Sequence, residues 1–381
     1  MTPKLAIMTE IIAPYRIPVF NALAERKGID FHAIFLSEND PVLRQWRVYK
    51  NEIKFSFDVL PSWRRRIGGY NVLLNHGVQS LLQKLKPDVL ICGGYNYLAS
   101  WQAAFWANSH RIPLVLWSES TAFDARRRHW WIELLKSRFL SLCSAFAVPG
   151  KSSFQYLREL GVAGPIFTAP NAVDVRFFST AAESARRAHA AVRARRALPA
   201  RYFLYVGRLV KEKGVFDLLE AYAGLTPGLR AVTGLVFVGE GAARAALERQ
   251  ASHIEGDVRF YGFAHREDLP EFYALGDALV FPTYSDTWGL VVNEAMACGL
   301  PIIATDVAGC AADLVKDGEN GFVLPPHDPA RLALLMTRMA EDCGCRAEMS
   351  ARSRELVSAY SPEAWAEGMV EGVKAVLGAR A

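Results

Sequence analysis

The sequence predicts an α/β protein with two doubly wound, Rossmann-like domains that face a cleft. Short apolar runs alternate with helical patterns along the whole chain, as is typical of parallel sheets that are covered on both faces. This alternation starts twice, once near residue 5 and again near residue 202. The length of 381 residues is enough for two domains, since single domains commonly have about 100 to 200 residues.

The first domain is predicted over residues 1–175. Its apolar runs end in small or polar residues, as the strands of a buried parallel sheet do. Helical patterns over residues 72–85 and 153–160 lie between these runs. We predict six strands in this half of the chain: Leu5–Thr9, Phe31–Leu36, Asp88–Gly93, Pro113–Trp117, Ala145–Pro149 and Pro165–Ala169.

The second domain is predicted over residues 201–360. It follows a segment rich in Ala and Arg, residues 176–200, which we interpret as a linker with a short exposed helix. A final helix in residues 361–381 is predicted to begin at Ser361-Pro362, and it could pack back against the first domain. We predict six strands in the second domain: Tyr202–Val206, Leu235–Val238, Val258–Tyr261, Ala278–Pro282, Ile302–Thr305 and Gly321–Leu324.

Composition indicates a globular protein that buries hydrophobic cores, because 51% of the residues are hydrophobic and 22% are charged. The six cysteines are scattered through the chain. Neither a secretory signal nor an apolar run near the ~20 residues of a membrane span is visible. We therefore expect a cytoplasmic protein with free thiols. A peripheral position on the inner face of the membrane is a second expectation, which rests on the charge distribution.

The net charge of +5 is unevenly distributed, with +8 in residues 1–175 and −3 in the remainder. The basic half carries two dense clusters beside tryptophans, Trp63–Arg66 and Arg126–Trp131. Basic residues next to interfacial aromatics suit an anionic membrane surface, and a solvated face is the alternative. Nucleic acid is not favoured as a partner, because no recognition motif accompanies the clusters.

The predicted helix that begins at about Gly289 is nearly all apolar but contains one carboxylate, Glu294, eight residues after Asp286. A buried carboxylate requires hydrogen-bond donors. A helix that begins at the carboxyl end of a strand also directs free N–H groups toward an anion. A carboxylate that can bind sugar hydroxyl groups, next to a site that can bind an anionic phosphate, predicts a binding site for a nucleotide-sugar.

Three further loops at predicted strand ends are candidates for the same site. Arg208 and Lys213 follow the first strand of the second domain, where open α/β sheets bind ligands, and together they could neutralise a diphosphate. The weak Gly239-x-Gly motif is either a phosphate loop or a tight turn. The strand end at Gly262 could offer backbone groups to a base, with Phe263 packed against the base or in the core.

Two loops of the first domain are expected to face the cleft. Tyr15 and Arg16 follow the first strand and are predicted on the acceptor side. Glu119 follows a later strand and either orients an acceptor or sugar hydroxyl or caps the following helix near Asp124. The histidines form no ligand spacing and no Asp-x-Asp occurs, so we expect no metal at the diphosphate and no cofactor.

Several of these motifs together identify a family resemblance. They are Gly207-Arg-Leu-x-x-x-Lys213-Gly, the Gly-x-Gly at 239–241, the Gly262-Phe263 turn, and Asp286-x7-Glu294 leading into Ala-x-Ala-Cys-Gly-x-Pro301, with Asn171-Ala-Val-Asp174 upstream. The set resembles the retaining family-4 glycosyltransferases, the glycosyl transferases of group 1. The resemblance covers almost the whole chain and is most specific between residues 204 and 325.

The resemblance implies the GT-B fold, with a UDP- or GDP-sugar bound mainly by the second domain. Arg208 and Lys213 would then contact the diphosphate, Glu294 the ribose hydroxyls and Asp286 the hydroxyls of the donor sugar. The backbone of Gly289, Leu290 and Val291 would complete the anion site. The implied reaction retains the anomeric configuration, with a diphosphate oxygen taking the proton of the acceptor.

The chain departs from the family pattern in three places. The first acidic residue is usually Glu and is here Asp286, while Ala13-Pro14-Tyr15 replaces the glycines that commonly follow the first strand. A histidine common in the first-domain loop is replaced within 117–119, so no catalytic histidine is assigned. We expect a hexosyltransferase of cell-surface polysaccharide or glycolipid synthesis with a lipid-linked acceptor. A sugar-phosphate acceptor, a nucleotide-sugar epimerase and a non-catalytic nucleotide-sugar-binding protein are the alternatives.

Overall fold

A computed structural model describes residues 2–40, 46–67, 70–124 and 130–378. The chain divides into two compact units, each built around its own parallel sheet. Unit 1 contains residues 1–120, 126–171 and 362–381, and unit 2 contains residues 121–125 and 172–361.

Unit 1 has a seven-stranded parallel sheet with the order β3-β2-β1-β6-β7-β8-β9. Two further strands, β4 and β5, pair as an antiparallel hairpin. The strands are β1 (Lys4–Thr9), β2 (Asp30–Phe35), β3 (Ser56–Val59), β4 (Ser62–Ile67), β5 (Tyr70–Asn75), β6 (Val89–Cys92), β7 (Leu114–Trp117), β8 (Ala145–Val148) and β9 (Ile166–Thr168). The helices are α1 (Ile17–Ala24), α2 (Val78–Leu85), α3 (Leu98–Ser109), α4 (Trp130–Ser141), α5 (Lys151–Glu159) and, much later in the chain, α16 (Pro362–Gly378).

The last helix, α16, belongs to unit 1 and packs against α1 and β9. Trp365 on α16 is almost fully buried, and its ring centroid lies 5.6 Å from that of Phe20 and 5.2 Å from that of Trp117. At Gly368 a Cβ atom would lie 2.1 Å from the carbonyl oxygen of Thr168. Only glycine therefore allows α16 to approach the sheet this closely.

Unit 2 has a six-stranded parallel sheet with the order β12-β11-β10-β13-β14-β15. Its strands are β10 (Tyr202–Val206), β11 (Gly234–Val238), β12 (Val258–Phe260), β13 (Ala278–Phe281), β14 (Ile302–Thr305) and β15 (Gly321–Leu324). Its helices are α6 (Val175–Arg187), α7 (His189–Arg196), α8 (Val215–Ala223), α9 (Pro227–Val232), α10 (Arg244–Ala251), α11 (Leu269–Leu275), α12 (Leu290–Ala297), α13 (Ala311–Leu314), α14 (Pro329–Glu341) and α15 (Cys343–Val357).

The predicted α/β class with two doubly wound sheets is confirmed, and a strand is present at each of the twelve predicted positions. Two local predictions were wrong. Residues 72–75 form part of β5 rather than the start of a helix, because they pair with β4 and Gly77, with φ of 81°, separates them from α2. Residues 176–200 are not an exposed linker, because they form most of α6 and all of α7, and Phe178, Ala182 and Ala185 lie in the unit 2 core.

Close backbone packing explains the Gly-x-Gly motif after β11. A Cβ atom at Gly239 would lie 1.9 Å from the carbonyl oxygen of Gly207, and one at Gly241 would lie 2.2 Å from that of Leu209. Real Cβ atoms do not approach backbone oxygens this closely. The two glycines therefore allow the loops after β10 and β11 to pack against each other.

We expect Gly241→Ala to lower the free energy of unfolding by about 2 kcal/mol or more, because the added methyl group forces two loops apart. Gly228→Ala is the matched control: a Cβ atom at Gly228, in α9, meets nothing within 4 Å. That control should be neutral or stabilising by about 0.5–1 kcal/mol. Thermal unfolding of the full chain measures both, and an equal effect of the two substitutions would contradict the loop packing.

Candidate functional site

The loops after β10, β11, β12 and β13 lie at the carboxyl edge of the unit 2 sheet. Their backbones are hydrogen-bonded to one another: the Gly207 N–H donates to the Val238 carbonyl at 3.0 Å, and the Gly239 N–H donates to the Gly262 carbonyl at 2.6 Å. Ligands of open parallel sheets bind at this edge. The four loops and helix α12, which follows the loop after β13, carry all the candidate residues predicted in the second half of the chain.

Lys213 and Asp286 form an ion pair at this edge. The Lys213 Nζ donates to Asp286 Oδ2 at 2.6 Å and to the Ser285 carbonyl at 2.9 Å, and both charged side chains are largely buried. Asp286 Oδ1 also accepts from the backbone N–H of Trp288 at 3.1 Å. These contacts join the loop after β10 to the loop before α12.

Arg208 lies in the same loop after β10 as Lys213 and is exposed. The hydroxyl of buried Tyr205 donates to the Arg208 carbonyl at 2.8 Å, which fixes the backbone of the loop. The charges of both Arg208 and Asp286 act on that phenol. Within the described residues the Arg208 guanidinium has no ion-pair partner, so its charge is available to an anion at this edge.

Helix α12 begins at the predicted position. Gly289 is its N-cap with φ of 99°, and a Cβ atom there would lie 2.7 Å from the Phe281 ring. Leu290, Val291 and Glu294 are the partly exposed residues of this otherwise buried helix. Their i, i+1, i+4 spacing places them on one face, so the first turn and the carboxylate share a surface.

Glu294 is bonded to Tyr273 of α11, whose hydroxyl donates to Glu294 Oε2 at 2.7 Å. Burial raises the pKa of Glu294 to about 7, and the hydrogen bond from Tyr273 acts in the opposite direction. Burial, followed by the charge of Glu294, raises the pKa of Tyr273, so the phenol stays protonated. The predicted need of Glu294 for a donor is thus met in part by a neutral phenol.

The loop after β12 presents Phe263 to solvent. Gly262 has φ of 72°, and Phe263 is 42% exposed with its ring edge-on to His265 at 5.1 Å between centroids. The alternative that Phe263 packs in the core is therefore wrong. The exposed ring leaves a planar apolar surface next to Gly262.

In unit 1, the residues predicted on the acceptor side form a contact with one another. The Arg16 Nη2 lies 3.3 Å from Glu119 Oε2, and the Arg16 Nη1 donates to Thr9 Oγ1 at 2.6 Å. The guanidinium carbon lies 4.3 Å from the centroid of the Trp117 ring and 5.9 Å from that of Tyr15. Residues 121–124 are not helical in the described part of the chain, and Glu119 pairs with Arg16 there.

The two basic clusters are only partly described. Residues 126–129 and the side chains of Arg66 and Trp131 lie outside the described residues. In the first cluster Trp63 is 45% exposed, whereas Arg64 is mostly buried between Glu10 and Asp40. Arg64 is therefore part of an internal ion-pair network and does not belong to a solvated basic face.

The described part of the chain offers neither a membrane-spanning helix nor a metal-binding cluster. No helix there combines the length and the apolar character needed to cross a bilayer. No group of three or more His, Cys, Asp or Glu side chains in that same part could hold a metal ion.

Sequence reasoning missed Tyr273 altogether. It precedes Glu294 by 21 residues on a different helix, and no short motif connects the two. The need of a buried carboxylate for a donor was visible in the sequence, but the identity of that donor depends on how α11 packs against α12.

We expect Tyr273→Phe to raise the pKa of Glu294 above its value of about 7, because the donated hydrogen bond favours the carboxylate. Carbon-13 NMR of a sample labelled at the glutamate carboxyls measures this pKa, and Glu294→Gln identifies the resonance. Tyr222→Phe is the control, since that buried hydroxyl donates to the Thr233 carbonyl at 2.9 Å instead. An unchanged pKa in Tyr273→Phe would contradict the contact.

The fold is similar to that of several solved glycosyltransferases. Sucrose-phosphate synthase of Thermosynechococcus elongatus has a TM-score of 0.73 at 21% identity, covering 99% of this chain and 100% of that one. HepE of Anabaena has a TM-score of 0.74 at 18% identity, covering 98% of this chain and 100% of that one. HepE has been solved with UDP and glucose, and also with UDP-glucose.

Sequence comparison extends this result. The D-inositol 3-phosphate glycosyltransferase of Salinispora arenicola is 32% identical over 212 residues, which are 52% of this chain and 47% of that protein. The chain thus aligns with less than half the length of this relative. The model of Glycosyltransferase Family 4 matches residues 20–177, and that of Glycosyl transferases group 1 matches residues 192–356. These matches and the GT-B fold of the solved neighbours show that the chain belongs to the family-4 glycosyltransferases.

Proposed function

We propose that the chain is a retaining hexosyltransferase that moves a sugar from a nucleotide-diphosphate donor to an acceptor hydroxyl. The observation that carries the proposal is the ion pair of Lys213 and Asp286, 2.6 Å apart, at the same sheet edge as the first turn of α12 and Glu294. This edge combines positive charge for a diphosphate with carboxylates for hydroxyl groups.

The donor would be held by groups with separate tasks. An ammonium has three N–H donors, and Lys213 uses two of them, on Asp286 and on the Ser285 carbonyl, which leaves one for a diphosphate oxygen. Arg208 adds a second cation, and the N-terminal turn of α12, at Gly289, Leu290 and Val291, adds free backbone N–H groups. No metal is needed to neutralise the diphosphate in this arrangement.

The nucleoside would lie against the remaining residues of the edge. Glu294 would accept from the ribose hydroxyls, and Phe263 would pack on the base, whose edge would meet the backbone near Gly262 and Gly239. HepE, which shares the fold, has been solved with UDP and UDP-glucose, and this supports a nucleotide-sugar donor. We propose UDP or GDP as its nucleotide.

The reaction breaks the bond between the anomeric carbon and the diphosphate oxygen. That electron pair stays on the leaving diphosphate, where Arg208 and Lys213 stabilise the growing negative charge. The acceptor oxygen forms its bond to the anomeric carbon on the same face, and its proton passes to the departing diphosphate oxygen. Preorganised donors of this kind are worth about 3–4 kcal/mol each in other enzymes.

Asp286 would recognise the donor sugar by accepting hydrogen bonds from the hydroxyl groups of that sugar. Its side chain is one methylene shorter than that of the Glu usual in the family, and it is already bonded to Lys213. In unit 1, Glu119, which pairs with Arg16, would orient the acceptor hydroxyl.

Two other classes of protein would share this donor site. An epimerase would change the nucleotide-sugar without an acceptor, and a sensor would bind it without turnover. Incubation with UDP-glucose or GDP-mannose alone separates the three cases. A transferase leaves the donor nearly intact until an acceptor is added.

We expect Lys213→Met to reduce transfer by about 100- to 1,000-fold, because one preorganised cation is removed from the leaving diphosphate. It should also lose most of the rise in melting temperature that UDP or GDP gives to the wild type. Lys211→Met is the control, since Lys211 is exposed in the 3-10 turn Lys211–Lys213 that also contains Lys213, and this variant should keep both properties. Equal activity of the two variants would contradict the assigned role of Lys213.

We infer that the acceptor is lipid-linked and that unit 1 contacts an anionic membrane surface during polysaccharide or glycolipid synthesis. Helix α4 supports this proposal, because Trp130 is 79% exposed, Leu134 63% and Leu135 49%. These apolar side chains follow directly after the basic sequence 126–128. Exposed apolar residues beside cations are typical of interfacial helices.

We expect the protein to sediment with vesicles that contain phosphatidylglycerol, and to do so less at high salt, which screens the cations. The double variant Trp130→Ser, Leu134→Ser should bind about ten-fold less, since it loses buried apolar area. Leu334→Ser is the control, because Leu334 is 71% exposed on α14 of unit 2. Binding to neutral vesicles only, or none at all, would contradict the membrane contact.

A further inference from the structure

A cavity of about 500 Å³ lies against α8 of unit 2 and is called here the α8 cavity. Its volume is within the range of about 300–1,000 Å³ that is typical of ligand sites. The walls come from α8, from the end of α10 and the turn that follows it, from the 3-10 turn after β10 and from the loop after β13. None of the residues proposed above to hold the donor lines this cavity, so the α8 cavity is a separate site.

Part of the wall of the α8 cavity is apolar. Phe216, Leu219 and Ala223 have the i, i+3, i+7 spacing that places side chains on one face of a helix, here α8. Ile254 adds a fourth apolar side chain from the turn after α10, and both Phe216 and Ile254 are partly exposed. A hydrated metal ion would gain no ligands from such a wall. A ligand of this cavity therefore has apolar surface to bury.

Two carboxylates line the same cavity. Asp217 and Glu220 are three residues apart on α8, and neither forms an ion pair in the described part of the chain. Like charges at neighbouring positions of a helix surface repel each other and destabilise the helix. Lys211 also lines the cavity and is likewise without an ion-pair partner among the described residues. Two carboxylates and one ammonium give a formal charge of −1, so the cavity favours a cation over an anion.

The side chain of Tyr284 is held in place beside these carboxylates. Its hydroxyl donates to Asp217 Oδ1 at 2.6 Å, and its ring centroid lies 3.8 Å from that of the His327 ring. Burial raises the pKa of Tyr284, and the hydrogen bond to Asp217 and the charges of Asp217 and Glu220 raise it further, so the phenol stays protonated. The rings of Tyr284 and Phe216 thus line the same cavity as two carboxylates.

We propose that the α8 cavity binds a small organic cation, which consists of a primary ammonium group on an apolar or aromatic body. The ammonium donates charge-assisted hydrogen bonds to Glu220 and to the second oxygen of Asp217. The aromatic rings that line the cavity add an attraction for the cation, and the apolar body packs against the apolar wall. A ligand that carries a carboxylate or a phosphate is disfavoured, because it meets two charges of its own sign.

The test uses three probes that share a phenyl group and differ in charge: 2-phenylethylammonium, 2-phenylethanol and 3-phenylpropanoate. Ligand-observed NMR titration of the full chain at neutral pH measures the dissociation constant of each probe. We expect the ammonium to bind at least five-fold more tightly than the alcohol, which corresponds to about 1 kcal/mol, and the carboxylate to bind most weakly. Equal binding of the ammonium and the alcohol, tighter binding of the carboxylate, or no binding of the ammonium would overturn the proposal.

Two substitutions locate the bound probe. Glu220→Gln removes a charge at constant size, and we expect it to weaken binding of the ammonium at least three-fold without an effect on the alcohol. Ala223→Leu fills part of the cavity and should weaken binding of both probes at least three-fold. The controls are Glu248→Gln and Ala245→Leu, at exposed positions of α10 outside the cavity. Unchanged binding of the ammonium in either cavity variant, or an equal effect of Glu220→Gln on both probes, would overturn the proposal.

Competition with UDP separates the α8 cavity from the candidate donor site. An excess of UDP should leave the ammonium probe bound, because the proposed donor residues lie outside this cavity. Displacement of the probe by UDP would place it in the donor site and would also overturn the proposal. The rise in melting temperature with UDP alone tests the proposed function, so the failure of one proposal is distinguishable from the failure of the other.

Discussion

The candidate donor site depends on a tight contact between the loop after β10 and the loop after β13. A Cβ atom at Gly214, whose φ is 67°, would lie 1.8 Å from the Pro282 carbonyl oxygen. Close by, the Tyr284 N–H donates to the Glu212 carbonyl at 2.9 Å. The backbone contacts thus set the distance between the two loops. Lys213 therefore lies close to Asp286 and loses little conformational freedom when the two side chains pair. Holding a lysine side chain in one conformation costs conformational entropy. Because the fold already restricts Lys213, most of this entropy is lost on folding and not on ligand binding.

The two carboxylates of the Asp286-x7-Glu294 motif have very different surroundings. Asp286 lies against an ammonium group, whereas Glu294 lies in an apolar helix with a phenol as its donor. Burial raises the pKa of Glu294 to about 7. Each further hydroxyl group that donates to Glu294 would therefore stabilise its charged form. Asp286, by contrast, is already stabilised by a full charge. Similar motif residues can therefore serve separate tasks because their neighbours differ.

Much of this arrangement could be predicted from the sequence, because parallel strands have continuous apolar runs and the glycine before α12 marks the start of a helix. The Ala and Arg content of residues 176–200 predicts exposure, and this prediction is wrong because one face of α6 is buried. The spacing of Phe178, Ala182 and Ala185 nevertheless places them on one helical face, so the signal was present. The partnership of Tyr273 with Glu294 had no such signal, since it depends on tertiary packing between two helices. The same holds for the burial of Arg64, which looked like a surface cation.

The position of α16 has a consequence for how the chain folds during synthesis. Unit 1 is assembled from segments on both sides of unit 2, and Trp365 fills its core beside Phe20 and Trp117. A ribosome therefore releases all of unit 2 before it supplies the helix that completes unit 1. Since domains generally fold as they emerge, unit 2 should be the first to reach its final form, although its residues come later in the sequence. Until α16 arrives, the nascent unit 1 exposes an aromatic surface on which chaperones could act.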